Sequence, residues 1–160
     1  MKMDTDSALG AVLGAPERTG HAEAAARTIL RFGALLDRCE WSELGRLLAD
    51  RVRVDYTELL GGEPQLLSGV ELAGQWRDQL TPGTGSQHLI SSVLVNQGPD
   101  GATAHATANL VSLRFALGAP GTPLRVLGGR YDFDLEASAP SADGWRISAV
   151  TLHALWLEKR

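Results

Sequence analysis

The hydrophobic positions of this chain change period as it runs. From Ala22 to Cys39 the segment is rich in helix formers, and Ile29, Phe32, Gly33 and Leu36 recur at helical spacing, which predicts a first helix with one core-facing stripe. WSELGRLLA, Trp41 to Ala49, predicts a second, shorter helix. The period then falls to two. In VRVDYT the apolar Val52, Val54 and Tyr56 alternate with Arg53, Asp55 and Thr57, the pattern of a half-buried strand. GGEP, Gly61 to Pro64, reads as a turn. Ser68 and Glu71 then form an S-x-x-E capping box that opens a third helix through Leu72, Trp76 and Leu80, and TPGTG closes it.

From His88 the pattern is β to the end. Turns at NQGPDG, GAPGTP and APSADG separate QHLISSVLV, ATAHATANLVSLRFAL, LRVLGGRYDFDLEA and WRISAVTLHALWLE. Strands joined by short turns predict an antiparallel sheet, and the preceding helices are the natural cover for its apolar face, so the fold class is α+β. Residues 1–20 are small and polar with scattered Gly and Pro. They are expected to form a loose tail with a helical turn around Ala8 to Leu13, leaving 21–160 as a single domain.

Three side chains stand out against this pattern. With Ile29 at zero on a helical wheel, Arg27, Arg31 and Arg38 fall at roughly 160° to 200° and mark the solvent face, whereas Asp37 falls at roughly 80°, between Ala26 and Leu30. A carboxylate on a core-facing edge needs a partner. Asp37 either meets one from the sheet or a wet cavity, or binds backbone amides near its own helix end. His88 sits at the mouth of its strand, with Ile90, Ser92 and Leu94 on its own face and Leu89, Ser91, Val93 and Val95 on the other, so alternation does not decide which face looks inward. Tyr56 shares the apolar face of Val52 and Val54, which puts its ring inside, where a phenol needs a hydrogen-bond partner. Tyr131 shares a face with Phe133 and Leu135 and is expected to line a pocket, whereas Asp132, Asp134 and Glu136 read as solvated. His153 reads as a satisfied core or interface histidine, and His21 as exposed.

Composition narrows the classes of function. The chain has 160 residues, 44% hydrophobic and 21% charged, with net charge −4, and it carries no basic run or basic-aromatic patch for nucleic acid and no apolar run long enough to span a membrane. Small molecules or proteins are the expected partners. Cys39 is the single cysteine, which excludes an internal disulfide; it reads as a small core residue. MKMDTDSALG has no signal-peptide pattern, and a cytoplasmic location is expected. The four histidines show no metal-ligand spacing, and GALLDR, GGEP and LGGR are not phosphate loops, so neither a metal nor a nucleotide cofactor is expected.

The run FGALLDRCEWSELGRLLAD, the strand VRVDYTELLGG, the helix GVELAGQW and then GTGSQHLISS resemble the SnoaL-like branch of the nuclear transport factor 2-like superfamily, with closest likeness to the scytalone dehydratase and bile-acid dehydratase families. The resemblance covers about Ala22 to Glu158. It implies a cone-shaped fold in which a curved antiparallel sheet and three helices enclose a pocket, often in a homodimer formed through the outer sheet surface. Leu152, Leu155 and Trp156 are candidates for that apolar outer face. By the same resemblance Asp37 holds a catalytic histidine, His88 is that histidine, and Tyr56 is a pocket tyrosine. An imidazole polarised by a carboxylate can take a proton beside a carbonyl and return it to a departing hydroxyl, while a phenol stabilises the enolate. Phe32, Trp76, Ala106 and Tyr131 are the expected substrate contacts.

Two departures from the family pattern matter. Phe32 stands where a tyrosine is expected, and His105 lies near a second catalytic histidine position that Ala106 fits better. Alternation puts Ala102, Ala104, Ala106 and Ala108 on one face and His105 on the other. The expected activity is a cofactor-independent dehydratase for a hydrophobic, polycyclic or polyketide-like molecule. Cyclase or isomerase chemistry uses the same groups, and a non-catalytic binding or dimerisation module is the rival class. Epoxide opening would need a second carboxylate that an outward Asp55 does not supply.

Overall fold

The computed structural model describes residues 15–80, 82–118, 121, 123–138 and 144–159, and its first element is helix α1 (Ala15–Asp37). The helix therefore takes in residues 15–20 of the expected tail, while the turn expected at Ala8 to Leu13 lies outside the described residues. Its end is a Schellman motif. Glu40 N–H reaches Leu35 O at 3.0 Å, Cys39 N–H reaches Leu36 O at 3.1 Å, and Cys39 adopts φ 58°, the left-handed conformation that glycine usually supplies. Cys39 is accordingly exposed rather than in the core, because the capping geometry turns its side chain away from the helix stripe.

α2 (Trp41–Leu47) stops before Leu48 and Ala49, which enter β1 (Leu48–Asp55). Two short elements flank the GGEP turn without a sequence signal: α3 (Thr57–Leu60) and β2 (Gln65–Leu67). α4 (Gly69–Asp78) starts on the predicted capping box, with Ser68 Oγ accepting from Glu71 N–H at 3.2 Å and the Glu71 carboxylate accepting from Ser68 N–H at 2.8 Å. β3 (Thr84–Gln97), β4 (Thr103–Ala116), β5 (Arg125–Ala137) and β6 (Trp145–Lys159) complete a curved, open sheet of order β2-β1-β6-β5-β4-β3. No described helix is long and apolar enough to cross a membrane.

The hairpins β3 to β6 are antiparallel as predicted, but β1 joins β6 in parallel, so the sheet is mixed. Period-two alternation reports which face of β1 is buried and carries no information about which strand, in which direction, lies beside it. The core is the layer between the helices and the concave face. Ile29 and Phe32 of α1, Leu44 of α2 and Leu72 of α4 meet Leu110, Leu127, Phe133, Leu135, Ile147 and Val150. Leu152, expected on the outer surface, is buried on this inner side, whereas Leu155 and Trp156 are exposed. Bulges in β6 shift the phase of alternation between Ile147 and Ala149 and again between Ala154 and Trp156. Gly128 is required by the outer face: a methyl group there would be driven into the Trp156 indole.

Candidate functional site

α1 and β3 bring Asp37 and His88 together. Gly33 makes this possible, because a Cβ there would stand 2.8 Å from Ile90 Cδ1 and 3.6 Å from His88 Cβ; its absence lets the helix lie close against the strand. One turn on, the Asp37 carboxylate takes both the backbone and the ring of His88: Oδ2 accepts from His88 N–H at 2.8 Å, and Oδ1 lies 2.6 Å from Nδ1. The Ser86 hydroxyl donates to the same Oδ1 at 3.4 Å. Asp37 thus meets a partner from the sheet rather than capping its own helix. In the neutral ring, the carboxylate on Nδ1 favours the proton there and leaves Nε2 its lone pair. Nε2 has no protein partner among the described residues. The two side chains are 22% and 14% exposed, which keeps the pair largely out of bulk water.

His88 faces inward because β3 is bulged. Ser91 pairs with Asn109 and Leu94 with Thr107, so three steps on β3 match two on β4, and Ser92 takes up the extra residue at φ 51°. The inner face therefore runs Ser86, His88, Ile90 and then Val93 and Val95, while Leu94, expected on the histidine's own face, is exposed.

His88 opens into a pocket of about 660 Å³, counted out to its mouth. Tyr56, Trp76, Tyr131 and Ser112 share its wall, with Leu110, Leu127 and Leu152 forming apolar floor. Tyr56 caps the start of α3 and lies 6.4 Å, ring to ring, from both Trp76 and Tyr131. Desolvation, reinforced by the neighbouring Tyr131, raises the Tyr56 phenol well above its usual 10. Tyr131 is pushed up to about 12, first by burial and also by the Asp37 carboxylate, against the hydrogen bond with Tyr56. Both phenols are therefore neutral hydrogen-bond donors throughout the neutral range.

Of the expected substrate contacts, Trp76 and Tyr131 line the pocket and Phe32 and Ala106 do not. Phe32 is fully buried behind the wall, edge-on to Trp76, Tyr131 and Phe133 at centroid distances of 5.4 to 6.0 Å. Its position on the helix stripe points it into the hydrophobic layer rather than the opening. Ala106, also fully buried, lies far along β4 from His88, which is paired with Ser112. His105 is on the outer face as alternation predicts, 2.9 Å from Asp134. His153 binds Glu58 at 3.0 Å through Nδ1 and Asp132 at 2.9 Å through Nε2, away from the pocket lining.

Sequence reasoning missed the polar wall residues Gln79, Ser86, Ser112, Arg114 and Arg125. For the two arginines, LRFALGAPGTPLRV puts one on each strand flanking a predicted turn, but with three residues between Arg114 and GAPGTP and one between GAPGTP and Arg125 the sequence does not set their register; the direct pairing is a finding of the structure.

Solved structures share this architecture. The Kfla4162 protein from Kribbella flavida superposes with TM-score 0.74 at 21% identity, covering 89% of this chain and 95% of that one. A scytalone dehydratase candidate from Novosphingobium aromaticivorans gives TM-score 0.66 at 13% identity, covering 86% of each chain. A type 2 hexachlorocyclohexane dehydrochlorinase, LinA, gives 0.68 at 10% identity, covering 89% and 90%. No curated protein matches the sequence. A family model described as the SnoaL-like domain matches residues 18–151, and on that match the chain belongs to the SnoaL-like family, with the nuclear transport factor 2-like fold.

Proposed function

We propose that the chain is an acid/base enzyme, a dehydratase for a small molecule with an apolar body, in which His88 moves the proton. The observation that carries this reading is the 2.6 Å contact of Asp37 with His88 Nδ1, which leaves Nε2 as a base on the wall of a partly open pocket. Fold neighbours include proteins named as a scytalone dehydratase candidate, a dehydrochlorinase and a polyketide cyclase, and in each a chemistry that begins by moving a proton fits the name.

The steps follow from the atoms. Nε2 takes the proton from a carbon adjacent to a carbonyl, and the C–H electron pair moves into the enolate. Tyr56 or Tyr131 donates a hydrogen bond to the developing oxyanion, and Asp37 balances the imidazolium through Nδ1–H. When the enolate collapses, the bond from the β-carbon to its hydroxyl breaks. The imidazolium returns its proton to that oxygen, so water leaves and the histidine is neutral again.

The test uses a panel of β-hydroxycarbonyl compounds with apolar rings or chains, reading the absorbance of the conjugated product. For any compound turned over, His88→Ala should reduce kcat by about 10² to 10⁴ and Asp37→Asn by at least about 10², with thermal unfolding near that of the parent. Undiminished turnover in His88→Ala would refute the reading.

A further inference from the structure

The pocket's mouth carries an unusual charge arrangement. Arg114 and Arg125 are directly opposed across β4 and β5, and Arg125 is in turn opposed to Lys159 of β6. Paired residues share a face, and both arginines line the pocket, so two cations stand side by side at the inner end of the sheet, with the exposed Lys159 next in the ladder. The same two arginines, with Leu60, Gln79, Thr84 and Leu124, line a shallow depression beside the opening. Neither arginine has a carboxylate partner among the described residues. Arg114 spends one donor on the Gln79 carbonyl at 3.4 Å. The hairpin from Arg114 to Arg125 contains no acidic residue at all, in a chain whose acidic residues outnumber its Lys and Arg, 19 to 15. Like charges placed directly opposite in a sheet are destabilising, and here burial and the neighbouring Arg125 lower the Arg114 pKa. Arginines held in this way are suited to a ligand that supplies the missing charge, since a guanidinium pair accepts a carboxylate through several parallel N–H···O bonds.

We propose that Arg114 and Arg125 form an anion site at the pocket mouth, which seats the carboxylate of an amphipathic acid whose apolar body lies between Tyr56, Trp76 and Tyr131. This rests on the acid/base reading of the same pocket and deepens it: the substrate is an organic acid rather than a neutral molecule. Arg114 lies across from Ser86 and one inner-face step from Ser112, the strand partner of His88, so an acid seated at the rim carries its nearby carbons past the imidazole. The cations also draw an anion toward a protein whose net charge would otherwise repel it.

The experiment measures binding apart from turnover, because Trp41 and Trp76 line the pocket and report occupancy by fluorescence. The probes are 2-naphthoate and its neutral methyl ester, titrated into the parent, Arg114→Gln, Arg125→Gln and His88→Ala. The expected result is saturable naphthoate binding that weakens about tenfold to a hundredfold in either arginine variant and weakens with added salt, while the ester responds to neither change. Thermal melts supply a second readout: unliganded Arg125→Gln should melt no lower than the parent, and naphthoate should raise its midpoint less. The proposal is overturned if acid and ester bind alike in the parent, if the arginine variants bind naphthoate as the parent does, or if naphthoate fails to saturate. His88→Ala should keep acid-selective binding. Undiminished turnover in that variant would remove the acid/base reading and leave the anion site standing.

Discussion

Asp37 occupies the last turn of α1, where the negative end of the helix dipole disfavours a carboxylate by about 0.3 to 1 kcal/mol, and no basic residue shares that turn. Its position makes sense through His88, whose ring and backbone amide it binds across the helix–sheet boundary. The helical wheel located this carboxylate because three arginines mark the opposite face, yet it left the partner open. Partners come from tertiary contact, which a wheel does not contain. Two residues later Cys39 pays for the helix stop in a left-handed conformation. Cys39→Gly should therefore raise stability by up to about 1 kcal/mol, the relieved strain being partly offset by the greater freedom of glycine in the unfolded chain. Urea unfolding checks it, and an unchanged or lowered midpoint would contradict the Schellman assignment. Cys39 was misread as core because a small apolar side chain carries no mark of the backbone conformation it is asked to adopt.

Helix α3 is the element for which the sequence offered least, four residues inside a stretch that reads as strand and turn. It is held from outside. Glu58 accepts from Ala154 N–H at 2.9 Å with one carboxylate oxygen and binds His153 Nδ1 with the other, while Asp132, itself paired with Arg130, takes Nε2. Both ring nitrogens face carboxylates, so both donate and the imidazole is held as a cation. Its pKa is raised above 6.5, chiefly by the Glu58 hydrogen bond and then by Asp132, against desolvation; Asp55 of β1 also faces the cluster. Because the folded value is raised, the contribution to stability is fully present below about pH 6.5 and is lost as pH climbs through the folded value. The stability difference between the parent and His153→Gln should thus be largest below about pH 6.5 and shrink as pH rises above it, followed by urea unfolding across that range. A difference independent of pH would show that the clamp is not ionic. Since Tyr56, Leu59 and Leu60 of this segment form one wall of the pocket, the clamp also fixes the shape of the site.

Across the molecule, Phe32 ties the helical layer to the sheet, touching Trp76 of α4 and Tyr131 and Phe133 of β5 from the middle of α1. Phe32→Ala should cost about 3 to 5 kcal/mol of global stability by urea unfolding; a loss under about 1 kcal/mol would place the ring at the pocket surface after all. Most of the architecture was legible. Four long alternating segments and their turns predicted β3 to β6, and a capping box placed α4. The parallel seating of β1 on β6 was not, because alternation is blind to the neighbour's identity. The inward face of His88 was hidden for a related reason: the one-residue bulge at Ser92 divides β3 into two segments of opposite parity. That interruption has a mechanical result. Lengthening or shortening the chain beyond Ser92 can be absorbed where the ladder is already out of step, so the histidine keeps its aim, whereas a one-residue change between Ser86 and Ser91 would turn the imidazole to the convex side and part it from α1.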